Sequence, residues 1–206
     1  MNRFTAPQRA LLLATARLAL VNCLVHGQSP RTAAQAAVAA AKAENASQAD
    51  LPPAGAENDP LLADAACFVT LWQGNHDVLR GCRGEFNAHQ PLLAAVAQMA
   101  LAAALDDPRF EPLTPTELPQ VCIEISVLTP LTPIKPQDVE LGRHGLLIAQ
   151  GNRRGLLLPE VPIEHHMSRA AYLAALCAKA GLADGAWRDP SASLWAFETE
   201  AWEEDS

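Results

Sequence analysis

ACFVTLWQGNHDVLRGC, residues 66–82, reads as a strand, a turn and a returning strand. Residues 66–73 are rich in aromatic and β-branched side chains, which suit a pleated, half-buried surface. Gly74 to Asp77 carries turn residues, and Val78 to Cys82 returns as the second strand. Upstream, Thr5 followed by Pro7 and Gln8 signals the start of a helix that runs to about Leu24 and stops near Gly27. Residues 31–46 have high helix propensity but little bulk to bury, so they read as an exposed or marginal helix. A Pro/Gly/acidic loop follows, Asp50 to Pro60. Downstream, Pro91 to Asp106 is an Ala/Leu helix that Pro108 and Pro112 cannot continue. Val121 to Thr129 alternates as a strand, and GLLIAQ and GLLLPEV flank Asn152 to Arg154 as a hairpin. Ser168 caps a helix over about Arg169 to Ala180, ended by Gly181. Ser193 to Trp202 reads as one last strand. Hairpins and helices without a βαβ rhythm predict an α+β fold, with two sub-domains around a largely antiparallel sheet and flanking helices.

The whole chain has 206 residues, enough to bury a core without metals or disulfides. Half of it is apolar and 18% is charged, which excludes a disordered chain. The net charge of −8 argues against a nucleic-acid binder, because phosphate affinity comes mainly from Lys and Arg. Five of the acids fall in Glu198 to Ser206, read as a tail beyond the last strand, where no base accompanies them. The five cysteines (Cys23, Cys67, Cys82, Cys122, Cys177) are widely spaced with no CxxC pair, so a disulfide framework and a zinc ribbon are not expected. Residues 10–25 are apolar but interrupted by Arg17 and Asn22, too short for a membrane span, and read as a core-facing helix rather than a signal. Reduced thiols and a cytoplasmic location are expected, without membrane association.

Two stretches carry a family resemblance: FVTLWQGNHDVLRGCRGEF (Phe68 to Phe86) and GLLLPEVPIEHHMSRAAYLAALCAKAGL (Gly155 to Leu182). With DDPRF (Asp106 to Phe110), IEISVLTPLTPI (Ile123 to Ile134) and LGRHGLLI (Leu141 to Ile148), they resemble the AMMECR domain family. The resemblance spans residues 5–203, as a single domain. Residues 28–60 stand as a partly exposed Ala-rich helix and Pro/Gly loop insertion, and residues 204–206 as an acidic tail. It implies an α+β fold with two sub-domains. Such a domain is encoded beside, or fused to, a Memo-like protein and a radical-SAM protein in many bacteria, where it is labelled AmmeMemoRadiSam system protein A. The resemblance therefore implies pathway partners rather than a reaction, and it names no cofactor. Arg83 stands where the family has an apolar residue, and His165–His166 where it has a Gly-Trp-like pair.

Cys82 is the candidate catalytic residue. It lies between Gly81 and Gly84, where backbone can bend or approach a ligand, and Arg80 and Arg83 flank it. Cationic neighbours favour a thiolate, and glycine-rich backbone can hold an anion. The plain alternative is a buried strand-end cysteine with Arg80 in a structural ion pair. His144, in GRHGLL, reads as a general base or as an exposed loop residue. Glu164 matches a recurrent glutamate of the family, and with Cys82 and His144 it would form a Cys–His–Glu constellation if the three converged. Arg109 either fixes a turn with Asp107 or reaches the Cys82 site. His165 and His166 are adjacent and cannot project alike, so no metal pair is expected, and Cys23, Cys122 and Cys177 read as core packing. Three functions compete: an enzyme or accessory acting on a small anionic ligand through Cys82; a non-catalytic assembly module for Memo-like and radical-SAM partners; and, last, a nucleic-acid or nucleotide binder, for which no P-loop or RNP-type run exists.

Overall fold

The structure is a computed structural model that describes residues 3–48, 59–74 and 78–204. Most of the Pro/Gly loop, three of the four turn residues and the last two residues of the acidic tail lie outside the described residues. The chain divides into two compact units, Met1–Val127 with Glu200–Ser206, and Leu128–Thr199.

The first unit begins with α1 (Ala6–Leu24), opened by a capping box in which Thr5 and Gln8 bond each other's backbone N–H. α2 (Pro30–Gln48) and α3 (Leu92–Leu105) follow it in the helical layer. The sheet is ordered β2 (Val78–Gly84), β1 (Cys67–Gln73), β3 (Val121–Leu128), β8 (Thr199–Glu203), with β1 antiparallel to both β2 and β3. Cys67, Val69, Leu71, Ile123 and Ile125 alternate onto one buried face of the sheet, in one core with α1 and α3. α3 is buried on nearly every side, which its Ala/Leu composition permits. Each fully buried leucine contributes about 1.5–3 kcal/mol relative to exposure.

α2 is exposed over most of its surface, but it is not marginal. Ala33, Ala34, Ala37 and Ala41 are buried along one face. Small side chains let helix backbones approach closely, so little bulk is needed to seat it.

The second unit carries a sheet ordered β4 (Thr132–Pro133), β7 (Ser193–Phe197), β5 (Gly145–Gln150), β6 (Arg153–Leu157), antiparallel throughout. α4 (Val161–Glu164) is a single turn, and α5 (Arg169–Lys179) packs Tyr172, Leu173, Leu176 and Cys177 into this unit's core. Arg153 and Arg154 belong to β6, opposite Gln150 and Ala149, so the hairpin turn is tighter than the expected Asn152–Arg154 loop; Gly151 takes the left-handed backbone it needs (φ 57°). The expected single strand over residues 193–202 is two. It breaks at Glu198, whose backbone exchanges 2.8 Å hydrogen bonds with Thr129. β7 and β8 then join different sheets. The fold is α+β, with two four-stranded antiparallel sheets and flanking helices.

Candidate functional site

The site is built on an irregularity in the β1–β2 hairpin. Gln73 faces Val78 and Trp72 faces Leu79, but past them Leu71 faces Gly81 and Thr70 faces Cys82. One extra residue, Arg80, has been accommodated in β2, a β-bulge. Without it, counting back from the turn would set Cys82 opposite Val69, which is fully buried on the helix side. The bulge turns Cys82 onto the other face, with Thr70, and sends Gly81 inward. A Cβ on Gly81 would come within 2.2 Å of the Ala103 carbonyl oxygen on α3, so this glycine marks a close approach to the helix. A Cβ on Gly84 would meet the Phe68 ring at the same distance. Both glycines thus mark close packing.

Cys82 is half-buried, and the Thr70 hydroxyl donates to its Sγ at 3.3 Å. β2 is an edge strand, and the Cys82 N–H donates outward to Asp107 Oδ2 at 2.8 Å. Asp107 lies just past α3, in the turn that Pro108 forces, and is 4% exposed. Its carboxylate also accepts from Arg109: from Nη2 at 2.6 Å, from Nε at 2.9 Å and from the backbone N–H at 3.1 Å. Arg109's hydrogen bonds, with that of the Cys82 N–H, hold the Asp107 carboxyl well below the usual carboxylate range against its burial. Asp107 in turn raises the Arg109 guanidinium above its ordinary value. Of the two sequence readings, the ion-paired turn is what the geometry of Asp107 and Arg109 displays. They fix a turn, and the same carboxylate ties Arg109 to the Cys82 backbone.

Arg80 takes the ion-pair reading. Its Nε donates to Glu117 at 2.9 Å and its Nη2 to the Glu111 carbonyl at 3.0 Å. Arg80, then the hydroxyl and N–H of Thr114, pull the Glu117 carboxyl down to about 2. The Phe110 ring lies 5.9 Å from the Arg80 guanidinium carbon and 5.4 Å from that of Arg109. Arg83 is exposed and makes no ion pair among the described residues. Of the other thiols, Cys67 and Cys177 are fully buried, and burial pushes the Cys67 thiol far up. Cys23 is half-buried and packs against the core, whereas Cys122 is half-buried outside it, its thiol donating to the Glu204 carbonyl at 3.5 Å.

His144 and Glu164 belong to the second unit. His144 Nδ1 accepts from the Glu140 N–H at 3.1 Å, and its carbonyl accepts from the Tyr172 hydroxyl at 3.2 Å, so the residue closes a turn. Glu164 is exposed at the end of α4, and no hydrogen bond joins it to His144 among the described residues. His165 and His166 are exposed as well. Among the described residues no group of three or more His, Cys, Asp or Glu side chains is arranged to hold a metal ion. No helix there is long and apolar enough to cross a membrane. Sequence reasoning missed Thr70, Phe110 and Glu117. Thr70 is visible only once the bulge is known, Phe110 closes the DDPRF segment without chemistry of its own to flag it, and Glu117 is a surface-type residue in a proline-rich loop.

A groove of about 700 Å³ lies elsewhere in the first unit, between α2 and α3. Cys82 does not line it; Asp106 does, one residue before the aspartate that holds Cys82.

Known proteins resemble this chain over most of its length. A protein of Methanopyrus kandleri is 40% identical over 153 residues, covering 70% of this chain and 74% of that one. One of Thermococcus kodakarensis is 42% identical over 149 residues, covering 67% and 72%. The crystal structure of an uncharacterized protein from Pyrococcus horikoshii superposes with a TM-score of 0.71 at 32% identity, covering 94% of this chain and 90% of that one. The profile of the AMMECR1 family matches residues 22–202, so the resemblance carried by the Cys82 hairpin and the α5 segment is one of descent: the chain belongs to the AMMECR1 family.

Proposed function

We propose that the protein is an enzyme or enzyme accessory that engages a small anionic ligand at Cys82. The observation that carries this is the Asp107 carboxylate, which holds the Cys82 N–H at 2.8 Å and Arg109 Nη2 at 2.6 Å. One buried anion thereby ties the Cys82 backbone to the Arg109 guanidinium at a sheet edge. The Arg109 side chain remains 54% exposed, and its Nη1 has no hydrogen bond among the described residues, so it can still receive an anion. Arg83, exposed on β2 beside Cys82 in sequence but on the opposite face of the strand, adds positive charge to the same edge. In this reading Cys82 is the nucleophile or ligand-contacting thiol, Thr70 orients its sulfur, and Arg80 with Gly81 and Gly84 shapes the strand. His144 and Glu164 remain proposed acid–base groups on the second unit, each tested by its own variant, His144→Ala and Glu164→Gln.

Iodoacetamide labelling followed by peptide mass spectrometry tests the reading. Cys82 is expected to label faster than Cys67 and Cys177, and a competing anion such as phosphate or pyrophosphate is expected to slow it. Labelling of Cys82 no faster than those buried thiols would remove the reading. Action alongside Memo-like and radical-SAM proteins in the cytoplasm is part of the proposal, on the strength of the family. Co-purification with them, intact in Cys82→Ala while the pathway output is lost, supports chemistry over assembly.

A further inference from the structure

We propose that the groove between α2 and α3 receives an α-helix of a partner protein whose docking face carries an acidic residue at each end. The α2 wall presents Arg31, Val38 and Lys42, one stripe at helical spacing. Eleven residues separate Arg31 from Lys42, about 16 Å or three turns. The α3 wall presents Ala94, Leu101 and Asp106 over a similar length. The walls are mostly apolar, with alanines where a third helix backbone could come close, at the roughly 8–10 Å typical of helix packing. Arg31 and Lys42 are exposed, and neither makes an ion pair among the described residues. Two positive groups and one negative group thus rim an apolar floor, on a chain whose net charge is −8. That local sign, opposite to the global one, selects an acidic partner, and the three-turn length between the two cations selects a helix. Cys82 has no part in this surface, so the labelling result and the result below stand or fall separately.

The test is calorimetric titration of the full chain with a capped helical peptide of about sixteen residues, its glutamates eleven positions apart with Leu and Ala between them. Binding is expected at low salt and should weaken as salt rises. The double variant Arg31→Glu, Lys42→Glu should bind it about tenfold less tightly. The same peptide with lysines for the glutamates should recover affinity on that variant, which also shows that the variant is folded. Val38→Arg should abolish binding in protein that still unfolds cooperatively; Val38 also packs against the core, so a lower melting temperature is compatible with that result. Equal binding of acidic and basic peptides, indifference to the variants, or no binding to the folded chain would overturn the proposal. So would binding of dodecanoate in place of the peptide, or self-association that Val38→Arg abolishes; these would assign the groove to an amphiphile or to a second copy of the chain.

Discussion

Asp107 is the residue on which the site depends, because it is buried, charged and fully engaged. Its partners are a backbone N–H that an edge strand would otherwise leave open and a guanidinium that is itself half in water. Asp107→Asn removes the charge and at least one acceptor, and should cost about 2 kcal/mol, read from urea unfolding at neutral pH. The pH dependence has a definite sign. Asp107 and Glu117 both have folded values below those of free carboxylates, so their contribution is fully present above the ordinary carboxyl range of about 4. It is lost as pH falls through the folded values, about 2 for Glu117. Below about pH 4 the melting temperature of the native chain should therefore fall steeply. The double variant Asp107→Asn, Glu117→Gln should start lower at neutral pH and follow a flatter acid limb. Parallel acid limbs in the two proteins would show that these carboxylates carry no such linkage.

At the scale of elements, β2 shows what one extra residue does. The bulge at Arg80 decides that Cys82 shares a face with Thr70, and it obliges Gly81 to lie against α3. Gly81→Ala would place its Cβ against the Ala103 carbonyl, a backbone atom that cannot move aside without shifting the helix. The expected loss is about 2–3 kcal/mol, measured by denaturant unfolding, and a loss under about 0.5 kcal/mol would mean that the two elements are not in close register. This hairpin also marks the limit of what the sequence discloses. Its strands, the Thr5 cap of α1 and the Ser168 cap of α5 rest on local propensity and spacing, and all were legible. The bulge was not, since nothing in VLRGC says that Arg80 has no partner across the ladder. Nor was the burial of one face of α2, whose alanines gain their value only against other helices, nor the break at Glu198, which Thr129 dictates from far along the chain. Of the site, Cys82 and Arg109 could be named from motif and charge. Their connection through Asp107 is a tertiary fact.

At the scale of the whole chain, the segment Leu128–Thr199 forms one unit, and the chain then returns to complete the other. The completing piece is β8, where much of the acidity of the C-terminal end is concentrated. Those acids are not loose. Glu200 accepts from the N–H groups of Arg3 and Phe4, at 2.7 and 3.3 Å, and from Arg9 at 2.7 Å. Glu204 accepts from Arg17 and from the Ile123 N–H, while its own N–H donates to the Ile123 carbonyl at 3.0 Å. Trp202 lies between them, its ring 5.4 Å from that of Phe4 and 5.5 Å from the Arg9 guanidinium carbon. The end of the chain is thus stitched to its beginning by groups that are partly shielded from salt. Removing residues 199–206 would leave β3 as an uncovered edge and strip Arg9 and Arg17 of these carboxylates. A loss of more than about 3 kcal/mol in the first unit is expected. Hydrogen exchange distinguishes this from general unfolding: amides of α1 and β3 should lose protection, whereas those of β5 and β7, whose ladder lies wholly within the second unit, should keep theirs. Undiminished protection in α1 would show that the first unit closes without β8.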